Sequence, residues 1–189
     1  MSNQMFKYFS LFVALLLFFS GCATNVPSPG IIISTENQRG DVFGSYSWKK
    51  TLKEYVDVKG RTAFKKLASD HVDLLFYLDY IAKTSPQLKP QSFPDRKHKL
   101  AFYINSYNAL AMYGVVYHKI PRDFNRFIDR AQFFKFTEYN IGGKHISLYD
   151  YENKIIRPMG DPRVHFALNC MVVDCPRLPD KPFTPEMLD

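Results

Sequence analysis

The chain has 189 residues, the size of one ordinary domain, with 46% hydrophobic and 23% charged residues. That composition excludes a disordered or collagen-like polypeptide, and 17 Phe, 12 Tyr and one Trp supply the large side chains of a core. The formal net charge is +7, and the three cysteines are an odd number, which in an exported protein calls for an explanation.

Residues 1–7 are polar, with Lys7 as the only charge, and residues 8–19 form an apolar run too short to span a bilayer as a permanent helix. Phe19-Ser20-Gly21-Cys22 closes the run with small residues before a cysteine. This pattern predicts a signal peptide over residues 1–21 and resembles a bacterial lipobox, with Cys22 as the lipidated residue. Two or more acyl chains on that cysteine anchor a protein stably where one does not. By resemblance to lipoprotein sorting in double-membrane bacteria, Ala23 rather than Asp after the cysteine implies the outer membrane, with the domain facing the periplasm. Loss of the leader removes one lysine and no acid, leaving a net +6. Nucleic acid is an unfavoured partner for such a chain. Anionic headgroups, a cell-wall polymer or an envelope protein fit the address better.

Residues 22–45 carry Pro27, Pro29, Gly30, Gly40 and Gly44 and read as a tether, interrupted by Ile31-Ile32-Ile33. The folded domain is expected over residues 46–189. Helical periodicity runs through residues 63–82, and Pro86 and Pro90 punctuate a loop after it. Residues 97–117 predict a buried central helix that holds Asn105, Ser106 and Asn108 on an otherwise apolar stretch. Gly142-Gly143 within residues 135–147 is a hairpin signal. Ser147 opens a short helix that ends near Arg157-Pro158. Residues 163–168 read as a buried strand, and Thr184-Pro185-Glu186 as a helix start. A helix beginning so near Asp189 cannot nucleate alone, so a C-terminally truncated domain is expected. The fold class is α+β, with helices packed around a small, mainly antiparallel sheet.

Three groups of residues could carry chemistry. Cys170 with His165 could form a nucleophile and its base. On a strand His165 and Asn169 would share a face. Alternatively Cys170 and Cys175 form a disulfide in the oxidising envelope, or remain inert thiols. Together with His165 they lack a close ligand pair, so no metal and no cofactor is expected. Asn105 and Asn108 lie three apart on one helix face and either brace neighbouring backbone or orient a substrate or catalytic group. Glu152, Arg157 and Arg163 form either a salt-bridge cluster or an anion-binding site.

Phe102-Tyr103-Ile104-Asn105-Ser106-Tyr107-Asn108-Ala109-Leu110 resembles the Phe-Trp-Ile-Asn-x-Tyr-Asn-Ala signature of the family called domain of unknown function 547. Ser147-Leu148-x-Asp150-x-Glu152 with Ile156-Arg157 resembles its second block. Asp161 to Cys170, followed by Cys175-Pro176, resembles its third, and the resemblance covers residues 48–189. Asn153 stands where the family commonly has His, so a base or ligand at that position is not expected here. Met171-Val172-Val173-Asp174 replaces the usual small residues between the cysteines. The family pattern continues past the helix start at Thr184. These readings together give an envelope lipoprotein acting as a binding or accessory module. The alternative is a thiol-dependent hydrolase or transferase built on Cys170 and His165, with Asn105 or Asn108 orienting.

Overall fold

The computed structural model describes residues 23–28, 40–121, 126–172 and 175–188. The leader, Cys22, Ile31-Ile32-Ile33 and Asp174 lie outside the described residues. The elements in chain order are β1 (Thr24–Asn25), α1 (Gly40–Tyr55), α2 (Phe64–Ser69), α3 (Val72–Lys83) and α4 (Arg96–Tyr117). They continue with α5 (Phe127–Ala131), β2 (Thr137–Ile141), β3 (Lys144–Ser147), α6 (Leu148–Asp150) and α7 (Val164–Ala167). Wide π turns prolong α5 over Gln132–Phe136 and α6 over Tyr151–Ile156, and short 3₁₀ turns occupy Pro90–Ser92, Arg157–Met159 and Pro185–Leu188.

Helix α4 is the centre of the molecule. Asp95 caps it by accepting the His98 N–H at 2.9 Å. Every residue from Leu100 to Met112 is buried, so the helix is enclosed on all sides. Helix α1 lays Trp48, Leu52 and Tyr55, spaced by four and three, against the core. Trp48 stacks on Tyr77 of α3 with ring centroids 5.4 Å apart. Gly44 allows the two helices to meet, since a Cβ there would run into the Tyr80 ring 2.5 Å away.

The expected helix over residues 63–82 is two helices. Leu67 and Leu74 are both fully buried and seven apart, so their spacing continues across the break. The break comes from local polar competition: Ser69 Oγ donates to the Lys66 carbonyl at 2.7 Å, and Asp70 leaves the helix in an extended conformation.

The sheet is mixed rather than purely antiparallel. Strands β2 and β3 form the expected hairpin, pairing Glu138 with Ser147 through Ile141 with Lys144. Gly142 and Gly143 turn it with φ of +57° and +78°, conformations that favour glycine. Their N–H groups donate to the Ile81 and Ala82 carbonyls, both at 2.9 Å, so the turn also caps the end of α3. On its other edge β2 pairs in parallel with β1, Thr24 against Thr137. The segment read as a tether therefore contains a strand, and its end lies in α1. Val26, 4% exposed, supplies the apolar anchor, and its N–H donates to the Glu138 carbonyl at 2.9 Å.

The strand expected over residues 163–168 is instead the helical turn α7. The Asp161 carboxylate accepts the Arg163 N–H at 3.0 Å, and Pro162 stands where a helix tolerates proline. Among the described residues no helix is long and apolar enough to cross a membrane.

Candidate functional site

The two asparagines of α4 act on two separate segments of the chain. Asn105 Oδ1 accepts the indole N–H of Trp48 at 3.2 Å and the Phe183 N–H at 2.9 Å, and its Nδ2 donates to the Phe183 carbonyl at 2.8 Å. Asn108 Nδ2 donates to the Ala167 carbonyl at 2.9 Å, and its Oδ1 accepts the Asn169 N–H at 2.8 Å. Both amides thus pair with backbone far away in sequence, the arrangement that satisfies a buried amide on an apolar helix.

Asn169 repeats the device over the next loop. Its Oδ1 accepts the Met171 N–H and its Nδ2 donates to the Pro176 carbonyl, both at 2.6 Å. The bracket spans the loop that Cys170 and Cys175 close as a disulfide, with Cα atoms 5.8 Å apart. Met171 is held at φ +60°, a left-handed conformation that costs a non-glycine residue about 1–2 kcal/mol. His165 does not join this group. It lies exposed on α7, in ring contact with Phe166, whereas Asn169 is buried beyond the end of that turn. Thiolate chemistry at Cys170 requires the disulfide to be opened, and His165 has no hydrogen bond to it.

Glu152, Arg157 and Arg163 separate into two ion pairs. Arg157 Nε donates to Glu152 at 2.9 Å, and the other carboxylate oxygen accepts the Tyr107 hydroxyl at 3.2 Å. Burial and the neighbouring Glu152 charge raise the Tyr107 phenol far above its usual range, so it stays a donor. Arg163 grips Asp161 with two nitrogens, at 3.0 and 2.8 Å, and also donates to the Leu188 carbonyl at 3.0 Å. The guanidinium holds the Asp161 carboxyl down at about 2. Asn153 donates to the Tyr149 carbonyl at 2.8 Å on an exposed surface.

The braced loop forms one wall of a cleft of about 470 Å³, which is the candidate site. Asn169, Met171, Cys175 and Arg177 line it together with the turn Lys59-Gly60-Arg61-Thr62. That turn is built by Asp57, whose carboxylate accepts the Lys59 and Arg61 N–H groups at 2.8 and 3.0 Å and the Arg61 Nε at 2.8 Å. The Arg61 N–H and guanidinium bring Asp57 down to about 2. Gly60, at φ +75°, lets the turn close on Arg177, since a Cβ there would come within 2.9 Å of the Arg177 Cβ. The cleft therefore gathers Lys59, Arg61 and Arg177, and Lys59 and Arg177 have no ion-pair partner among the described residues. A second cleft, of about 450 Å³, has aromatic walls that include Tyr80, Phe102 and Phe183, with Asn105 in its lining. Among the described residues no three His, Cys, Asp or Glu side chains converge.

The turn at Lys59–Thr62 and Arg177 had no sequence signal as site residues. The only cue was a glycine between two cations, which is common on any surface.

The family model described as "Protein of unknown function, DUF547" matches residues 90–189, a span holding both asparagines, the cystine loop and the Glu152–Arg157 pair. No curated protein and no solved structure matches the chain.

Proposed function

The chain belongs to the DUF547 family, and from that premise we propose that it is a lipoprotein anchored through Cys22 in the bacterial outer membrane. On this reading its domain, facing the periplasm, binds anionic cell-wall polymer in the cleft between the Lys59–Thr62 turn and the cystine loop. The observation that carries the binding role is the cleft itself. Lys59 and Arg177 line it without a carboxylate partner among the described residues, and such a concave cationic surface concentrates anions. The side chains that could have made a reactive group are engaged otherwise. Asn105 and Asn108 hold backbone, Cys170 is bonded to Cys175, and His165 stands apart on the surface. The anchor rests on the apolar run over residues 8–19 and the Phe19-Ser20-Gly21-Cys22 motif.

Cosedimentation of the full chain with purified cell-wall sacculi tests the binding role. The paired reversal Lys59→Glu, Arg177→Glu is expected to weaken binding at least about tenfold at low ionic strength, and wild-type binding is expected to fall as salt is raised. Unchanged binding by the double variant overturns the cleft assignment. Mass spectrometry of the chain isolated from envelopes reads acylation of Cys22, and a free thiol there overturns the anchor.

A further inference from the structure

The strand that follows Cys22 is fastened beside an unusual surface. Thr24 pairs with Thr137, and its hydroxyl accepts Gln132 Nε2 at 3.4 Å. In the sequence Cys22 stands two residues before Thr24. Gln132 belongs to the continuous helix formed by α5 and its π extension, from Phe127 to Phe136. Phe127 is 83% exposed, Ile128 56% and Phe136 37%, although water is a poor solvent for each. All three lie within about one and a half helical turns of Gln132. The same stretch carries Arg126, Arg130 and Lys135 against the single acid Asp129, with Arg126 paired to Asp129 at 2.9 Å. The Lys135 ammonium sits 4.4 Å above the ring of Tyr149, itself half exposed.

A short helix with exposed aromatic and aliphatic side chains among cations has the chemistry of a helix lying in a membrane interface. We propose that the Phe127–Phe136 helix rests on the bilayer that holds the anchor, with Phe127 and Ile128 entering the headgroup boundary and the basic residues meeting anionic phospholipid. This inference depends on the lipoprotein reading for the position of the bilayer. Acyl chains at Cys22 leave a domain free to tumble about one point, and a second contact fixes which face it turns to the membrane. The bilayer is favoured over a protein occupant because the β1 pairing holds Thr24, two residues after Cys22 in the sequence, beside this helix, and because the patch combines apolar tips with positive charge.

The test uses the full chain isolated from envelopes, carrying Ile128→Trp or, separately, Phe127→Trp. Each is reconstituted into phosphatidylethanolamine vesicles with about one quarter anionic phosphatidylglycerol, with and without brominated acyl chains. The native Trp48 is buried and its signal is subtracted using the unsubstituted chain. Both introduced indoles are expected to lose about half or more of their emission to the brominated lipid, as insertion into the acyl boundary requires. A control indole from Val58→Trp, at a 98% exposed position in the turn after α1, is expected to keep its emission. Equal emission with both lipids, or equal quenching of the control, overturns the proposal. If the patch instead joins two copies, the chain in detergent runs as a dimer split by Phe127→Ser with Ile128→Ser, and the indoles stay unquenched. Intact mass on the same sample separates the two readings. An acylated chain with unquenched indoles sinks the docking surface alone, whereas an unacylated chain with quenched indoles keeps the surface and sinks the anchor.

Discussion

Asn108 offers the sharpest test of how the candidate site is held. Its amide is fully buried, and it satisfies one acceptor, the Ala167 carbonyl, and one donor, the Asn169 N–H. Asn108→Ala strands both groups. Each buried backbone group left unpaired costs about 1–3 kcal/mol, so the expected loss is about 2–6 kcal/mol. That is a large part of the stability of an ordinary domain, and for a chain of this size it lowers Tm by at least about 4 °C. The assay is urea unfolding, read as a fall in midpoint at constant m-value, with amide exchange at Asn169 as the local probe. Asn108→Asp keeps the acceptor for Asn169 but turns a carboxylate oxygen toward the Ala167 carbonyl. Burial raises that carboxyl above its unfolded value, so the damage is expected to grow as pH rises and to be partly relieved in acid. A cost below about 0.5 kcal/mol for Asn108→Ala with unchanged Asn169 exchange would show that water replaces the amide freely and that the bracket holds nothing.

Three further outcomes are expected. Gly142→Ala and Gly143→Ala both place a side chain at positive φ, but only the first would drive a Cβ into the Ser85 side chain; unfolding should show a loss of about 1 kcal/mol at Gly143 and about 2 kcal/mol or more at Gly142. Asp161 ionises at a lower pH folded than unfolded because Arg163 bonds it, so its contribution is present above 3.8 and disappears as pH falls toward about 2; the fall in urea midpoint across that window should be smaller in Asp161→Asn than in the unsubstituted chain. Opening the six-residue Cys170–Cys175 loop with reductant should cost about 2 kcal/mol by chain entropy. Met171 amide protection should survive in the reduced chain and vanish in reduced Asn169→Ala, because Asn169 holds that N–H.

The parts of the fold visible in the sequence were those set by local chemistry. Gly142-Gly143 between two strands, Ser147 before a helix and the uncharged stretch after Leu100 each carry their own geometry. The break at Ser69-Asp70 was hidden because Leu67 and Leu74 keep helical phase across it. Residues 163–168 misled because a short apolar run carries no period of its own; the Asp161-Pro162 pair that starts α7 was the stronger signal. Strand β1 is two residues long and takes its register from β2, which no local pattern announces. For the site, the amide pair and the cysteines were legible as groups that must find partners. Their partners were not, since Phe183 and Trp48 reach Asn105 only through tertiary folding. Glu152, Arg157 and Arg163, expected as either a salt-bridge cluster or an anion-binding site, divide because Asp161, two residues from Arg163, pairs with it.

Strand β1 also orders events in time. Thr24 and its partner Thr137 are 113 residues apart in the chain. Loop closure over that distance makes the β1–β2 pairing among the slowest contacts in the molecule to form. Until it forms, one edge of β2 is an open template for which another copy's Thr24–Val26 can compete with the chain's own. A high local concentration of copies raises that competition, so the same three residues that fasten a chain to its own sheet can exchange between neighbours.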